Sequence, residues 1–221
     1  MLGYTGVDKV KAIYSGPETA DSVDEQVNIL DEELARYPAA VAMAIIDSKS
    51  CSVQFDLAAE NNIPVVAFDS ASNYQGIMAK VSTKNEEAAA TAASGLAAAM
   101  HGSGEVLLFI HDSKSLTSVQ RTEGFVQKIE TAYPNIQVGG IYYMDNLDDL
   151  KKVIADERNA EGMEMAAAAD ISDAEVYEYI FAKNTGVKGI YATNGEAVME
   201  IVETCGRLWV EDVPIEGFDA D

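Results

Sequence analysis

Short apolar runs rich in β-branched residues alternate along the chain with longer segments in which apolar residues recur every three or four positions. That is the pattern of a parallel sheet covered by helices, so the predicted fold class is α/β. Residues 10–14 read as a strand. Ser22-Val23-Asp24-Glu25 has the form of a capping box, in which the Ser22 hydroxyl accepts from a free amide and Glu25 reaches back. Val23, Val27, Leu30 and Leu34 then form one stripe of a helix that ends before Pro38. Residues 40–46 read as the next strand, 52–60 as a helix and 64–68 as a third strand, with Pro64 at the strand's first position, where proline fits best.

A second series begins at Asn85, read as the cap of an alanine-rich helix running to about Met100. Gly102-Ser103-Gly104 turns the chain into a strand over residues 105–110. A helix over 117–132, a strand over 137–143 and a helix over 146–157 follow. Ser172-Asp173-Ala174-Glu175 is a second capping box opening a further helix. A strand over 189–192, a helix over 196–205 and a strand over 214–217 complete the pattern. Residues 70–84 have no clear period and separate the two series, which places a first unit at 1–79 and a second at 80–221. Residues 159–170 read as an insertion without a clear helix boundary.

Charge narrows the function classes. Fifteen Lys and Arg stand against thirty-seven Asp and Glu in 221 residues, a net charge of −22, so nucleic acid and anionic lipid are repelled and neither is expected as a partner. Apolar residues at 48% are enough for a packed core despite that charge. The longest apolar runs, at 41–46 and 106–110, are far shorter than a membrane-spanning helix requires. Residues 1–8 hold no basic segment followed by an apolar core, so no secretory signal is read there. Cys51 and Cys205 make no disulfide framework, and neither has a neighbouring Cys or His at zinc-ligand spacing.

Four apolar runs end in an acid: Ile46-Asp47, Phe68-Asp69, His111-Asp112 and Phe218-Asp219. Open parallel sheets bind ligands outside the carboxyl ends of their strands, where these acids fall. Carboxylates only accept hydrogen bonds, which suits a polyol, sugar or amine that presents donors; the alternative for each acid is a cap on the next helix. Arg121 stands out on the helix after Asp112, because its fork can hold a carboxylate and ligand oxygens together; otherwise it is a surface arginine or pairs with Glu123 or Glu130. Asn194 can donate and accept as a hydroxylated ligand requires, or cap the helix that follows it. Gly102-Ser103-Gly104 precedes a strand, whereas a dinucleotide loop follows one. No Walker loop, Gly-x-Ser-x-Gly elbow or His-Glu-x-x-His segment is present, and His101 and His111 have no partners identifiable from sequence. No enzyme, metal or cofactor is therefore expected.

Four segments together resemble the periplasmic sugar-binding proteins of the ribose-binding type, the first structural class of solute receptors for ABC transporters. They are Asn61-Asn62-Ile63-Pro64-Val65-Val66-Ala67-Phe68-Asp69-Ser70, Gln120-Arg121-Thr122-Glu123-Gly124-Phe125, Tyr191-Ala192-Thr193-Asn194-Gly195-Glu196-Ala197 and Ile215-Glu216-Gly217-Phe218-Asp219, matching in order and spacing. The resemblance implies two lobes, each a parallel sheet flanked by helices, that close on a small sugar. Asp69 would bind from the first lobe, and Arg121, Asn194 and Asp219 from the second. Where that family often has an arginine after the first acid, this chain has Ser70, which suggests a smaller or differently hydroxylated ligand. The chain also resembles a piece of the family's length, lacking its first strand and helix and its last elements. The first lobe is then expected to be incomplete, with an exposed sheet edge through which chains could associate.

The function so implied is a non-catalytic receptor that hands its sugar to an ABC transporter permease outside the cytoplasmic membrane, peripheral to the membrane through that transporter. The alternatives are the effector-sensing core of a repressor-like regulator, which needs a helix-turn-helix that this chain does not contain, and a doubly wound enzyme that binds a metal through the strand-end acids.

Overall fold

The computed structural model describes residues 10–160, 162 and 166–219. The first three-stranded sheet has the order β1-β2-β3, from β1 (Val41–Met43), β2 (Val65–Phe68) and β3 (Ala79–Val81), all parallel. Helices α1 (Val23–Leu34) and α2 (Ser52–Glu60) cover it, and Leu30, Leu34, Phe55 and Ala58 close a core with Ile45, Val65 and Ala67. The α1 stripe buries Leu30 and Leu34 as its spacing requires, and Val27 packs at the margin of the same cluster.

The second sheet has the order β5-β4-β6-β7 and is also wholly parallel. Its strands are β4 (Gly104–Ile110), β5 (Ile136–Tyr143), β6 (Val187–Ala192) and β7 (Ile215–Gly217). β4 is flanked by strands on both sides and covered on both faces, so its apolar run needs no polar alternation. Val106, Leu108 and Ile110 face α3 (Asn85–Ala99) and α4 (Leu116–Ala132), where Ala93, Leu96, Phe125 and Ile129 meet them. Leu107 and Phe109 face the opposite core with Ile154, Tyr177, Ile180 and Ile201, from α5 (Asp148–Ala160), α6 (Asp173–Lys183) and α7 (Gly195–Leu208). A period of two along one strand thus supplies two cores.

Several sequence expectations need correction. Residues 10–14 are not a strand: Val10, Ile13 and Tyr14 are 74%, 57% and 95% exposed and pair with no strand among the described residues. A β-branched run becomes a strand only where a neighbour completes its ladder. The strand expected over 40–46 spans only Val41–Met43, after which the Ile45 amide donates to the Ser70 carbonyl. The segment 70–84, expected to be irregular, contains β3, which pairs with β2 and brings Lys80 and Val81 into the first sheet. At α1 the Ser22 hydroxyl meets Thr19 instead of capping the helix, and Glu25 accepts from the Glu18 amide. Asn85 is the first residue inside α3, and its side chain is buried against α4 rather than capping.

Other expectations hold. The Ser172 box forms as read: Ser172 Oγ accepts from the Glu175 amide at 3.3 Å and Glu175 Oε2 accepts from the Ser172 amide at 2.9 Å. Gly102 and Gly104 adopt φ of 75° and 123°, the backbone that the turn into β4 needs and glycine permits. Of the expected insertion at 159–170, residues 161 and 163–165 lie outside the described residues, and Ala168–Asp170 forms one turn of 3-10 helix.

Candidate functional site

Parallel strands in register bring their carboxyl ends to one edge of each sheet, and three of the four acids singled out from sequence follow those ends within two residues, whereas Asp47 lies four residues beyond β1 because that strand stops at Met43. Asp69 follows β2 and Asp112 follows β4, one residue beyond His111. Thr193 and Asn194 follow β6, and Asp219 follows β7. Arg121 reaches this edge from the second turn of α4.

Arg121 organises the second sheet's edge. Its guanidinium is buried: Nε donates to Asn85 Oδ1 at 3.0 Å, while Nη1 donates to the Thr193 carbonyl at 2.6 Å and to Asp219 Oδ2 at 3.0 Å. The carbon of the guanidinium lies 3.9 Å from the centroid of the Phe218 ring, a cation–π contact. One side chain therefore ties α3, the end of β6 and the end of β7 to α4. The pairing with Glu123 or Glu130 weighed from sequence does not occur; the partner is Asp219, ninety-eight positions away. Asp219 is half-exposed at 52% of its side chain, so it can accept from a ligand while bound to Arg121. Its φ of 71° and the φ of 57° at Asp69 are left-handed conformations, which aspartate tolerates better than most residues.

Asn194 takes the capping role offered as its alternative: Oδ1 accepts from the Ala197 amide at 2.8 Å at the start of α7. Its side-chain NH2 has no protein partner among the described hydrogen bonds, so capping leaves a donor over. Asn194→Ala is expected to cost about 1 kcal/mol in urea unfolding, the worth of a cap, while Asn194→Asp should keep the cap and most of that stability. Asp69 stands on the other sheet's edge. Its amide donates to the Val81 carbonyl at 2.9 Å, and its exposed carboxylate makes no side-chain hydrogen bond among the described residues.

His111, without a partner in the sequence reading, has two in the structure. Its Nδ1 lies 2.6 Å from Thr193 Oγ1 and its Nε2 lies 3.1 Å from Asp112 Oδ2. A neutral ring with its proton on Nε2 satisfies both contacts, donating to Asp112 and accepting from Thr193. The arrangement is not a nucleophile with its base, because Thr193 is fully buried and its hydroxyl oxygen already accepts the His111 amide at 2.9 Å. Asn85, His111, Thr193 and Phe218 pack around the candidate residues without having been singled out with them from sequence. Phe218 and Thr193 directly precede Asp219 and Asn194, whereas Asn85 and His111 carry no signal beyond their residue type.

Asp112 caps the β4–α4 loop, with Oδ1 accepting the Lys114 and Ser115 amides at 2.7 and 2.6 Å. Burial acts to raise its pKa, but the hydrogen bonds from His111, Ser115 and Lys114 together outweigh burial and hold the carboxyl well below the usual range. A carboxyl so lowered adds stability that is fully present above its unfolded pKa of about 4 and is lost as pH falls from there toward the folded value. Acid titration of stability should therefore be shallower in Asp112→Asn than in the unaltered protein, the two curves converging as pH falls; parallel curves would remove Asp112 from the acid response.

Among the described residues no group of three or more His, Cys, Asp or Glu is placed to hold a metal ion, and no helix is long and apolar enough to cross a membrane.

Solved structures share this fold. A carbohydrate transporter solute-binding protein from Agrobacterium radiobacter, in complex with D-arabinose, superposes with a TM-score of 0.71 at 23% identity, over 91% of this chain and 63% of that one. An arabinose-binding protein from Geobacillus stearothermophilus gives 0.64 at 26% identity, over 90% and 61%. An ABC transporter solute-binding protein from Agrobacterium vitis with bound D-fucose gives 0.76 at 20% identity, over 96% and 67%. The chain thus spans about three fifths of the length of the first two. No curated protein sequence matches it. The α/β architecture of two parallel sheets is common to all three, and the family model described as periplasmic binding protein domain runs through both sheets and all four strand-end segments, matching residues 5–221, so this chain belongs to that family.

Proposed function

We propose that the chain is the binding part of a non-catalytic receptor for a small sugar, held between two lobes that divide between β3 and α3. The observation that carries this reading is the Arg121–Asp219 pair: a buried guanidinium fixed by Asn85 and Thr193, stacked on Phe218, presents a half-exposed carboxylate at the strand ends. Such a carboxylate accepts from sugar hydroxyls without reorganising, and the free Asn194 NH2 donates to them. Asp69 supplies acceptors from the first sheet. The solved structures of similar fold that carry D-arabinose and D-fucose support the ligand class. The partner in this reading is an ABC transporter permease at the outer face of the cytoplasmic membrane, in keeping with the family and with neighbours named as transporter components.

A thermal-shift screen of the chain against pentoses and hexoses, D-arabinose and D-fucose among them, tests this. A ligand bound by the native state alone raises the midpoint by mass action. One or a few sugars should do so, and Asp69→Asn and Asp219→Asn should each lose most of the effect. Cooperative unfolding with no shift from any sugar rejects the reading.

A further inference from the structure

The loop between β4 and α4 reaches the first unit in three ways. The Ser48 amide donates to the Lys114 carbonyl at 3.2 Å. Leu116, the first residue of α4, packs against the first core, beside the cluster of Phe55, Ala67 and Ala71. The Lys114 side chain lines a cavity of about 560 Å³ with Asp21, Asp24 and Glu25 at the start of α1 and Asp47 after β1. The Asp21 carboxyl lies below its usual range, first through the Thr19 hydroxyl and in smallest part through Lys114.

The loop is shaped for this contact from its own side. Asp112 fixes the turn by accepting the Lys114 and Ser115 amides. Among the described residues the Lys114 ammonium has one loose pairing within its own unit, 3.9 Å from Asp145, whose carboxylate already accepts from Ser113 at 2.9 Å. The ammonium is thus weakly held at home and shares the cavity with four acidic residues of the other unit, none of them within ion-pair distance among the described residues.

We propose that residues 111–116 form a latch that holds the two units together without a ligand. Leu116 is its apolar seat, the Ser48–Lys114 bond its backbone tie and the Lys114 charge its electrostatic part. Opening the cleft withdraws Leu116 from the first core, breaks the backbone bond and takes the Lys114 charge away from the acids that line the cavity. The electrostatic part is open to water and weakens as salt screens it, whereas the apolar part does not. This goes beyond the proposed function, since it requires no sugar.

Hydrogen exchange of the unliganded chain, followed by mass spectrometry, reads the latch at the Ser48 amide, with β4 over residues 106–110 as the internal reference. Exchange through local opening follows the open population. High salt in the unaltered protein, and Lys114→Glu at low salt, should each speed exchange at Ser48 by about two- to fivefold, the range of an exposed ion pair, and leave β4 unchanged. Leu116→Ala should speed it as well while keeping the response to salt. Ser48 exchange insensitive to salt and to Lys114→Glu overturns the proposal, even if Leu116→Ala has an effect. If Lys114→Glu also speeds β4, the substitution has unfolded the unit, and the salt titration of the unaltered protein decides alone: a flat titration overturns the latch.

Discussion

Replacing Arg121 with alanine is expected to lower the stability of the chain by about 3 kcal/mol and to abolish any sugar-induced stabilisation. The guanidinium makes three hydrogen bonds and a cation–π contact from a buried position. Its removal leaves Asn85 Oδ1 and the Thr193 carbonyl without their donors, and each buried unpaired acceptor costs roughly 1–3 kcal/mol. Relief of the buried charge's own desolvation offsets part of that loss. Asp219, half-exposed, returns to water at little cost. For a chain of this size the change corresponds to a melting point lower by about 6–12 °C. Arg121→Lys keeps the charge, but an ammonium cannot bond in three directions with the same planar fork, so it should recover only part of the stability. Urea unfolding of the three proteins checks this. An alanine variant as stable as its parent would mean that the three bonds carry no net weight.

Gly124→Ala should be nearly as damaging, and for a reason that flexible side chains cannot relieve. A Cβ at Gly124 meets the backbone of Glu86 on α3, with Glu86 Cα at 2.7 Å, its carbonyl carbon at 2.9 Å and its carbonyl oxygen closer still. The methyl can be accommodated only if α3 and α4 move apart, loosening the layer of Ala89, Ala93, Leu96 and Phe125 over β4. Overpacking of this kind costs about 1–3 kcal/mol or more, against a gain in helix propensity of about 1 kcal/mol for replacing glycine. Because backbone and not a side chain must move, the upper end of that range applies, and the net expectation is a loss of about 2 kcal/mol. Gly95 provides the contrast on the facing helix. A Cβ there first meets the Glu216 carboxylate at 3.4 Å, the far end of a movable side chain, so Gly95→Ala should be neutral or stabilising. Equal effects at the two positions in urea unfolding would show that helix propensity, not the close backbone approach, governs both.

Elements whose signal is local are legible in the sequence. The unbroken apolar run at 106–110 appears in the strand at the centre of the second sheet, and Ser172 and Glu175 are three residues apart, so their capping box closes within one turn. Ser22 and Glu25 have the same spacing but are drawn to Thr19 and the Glu18 amide, because nearby polar groups offer competing bonds that residue spacing does not reveal. Residues 10–14 show the converse failure. Their composition suits a strand, but their state depends on a pairing partner, which is a property of the assembled sheet.

The candidate site divides the same way. Asp69, Arg121, Asn194 and Asp219 were each legible as polar residues at strand ends or on the helix that follows one, since parallel topology sends every such position to the carboxyl edge of its own sheet. Sequence also determined the α/β class, the two series of elements and the strong negative charge, which depend on periodicity and residue type alone. Only the tertiary structure decided that Arg121 pairs with Asp219 rather than with a glutamate on its own helix, that Asn85 turns inward to hold it, and that His111 bridges Thr193 and Asp112. Those choices join residues up to ninety-eight positions apart. They are settled by which groups are left to satisfy one another once the helices and sheets have packed and water has been excluded, because a buried donor or acceptor must find its partner wherever the fold has put one.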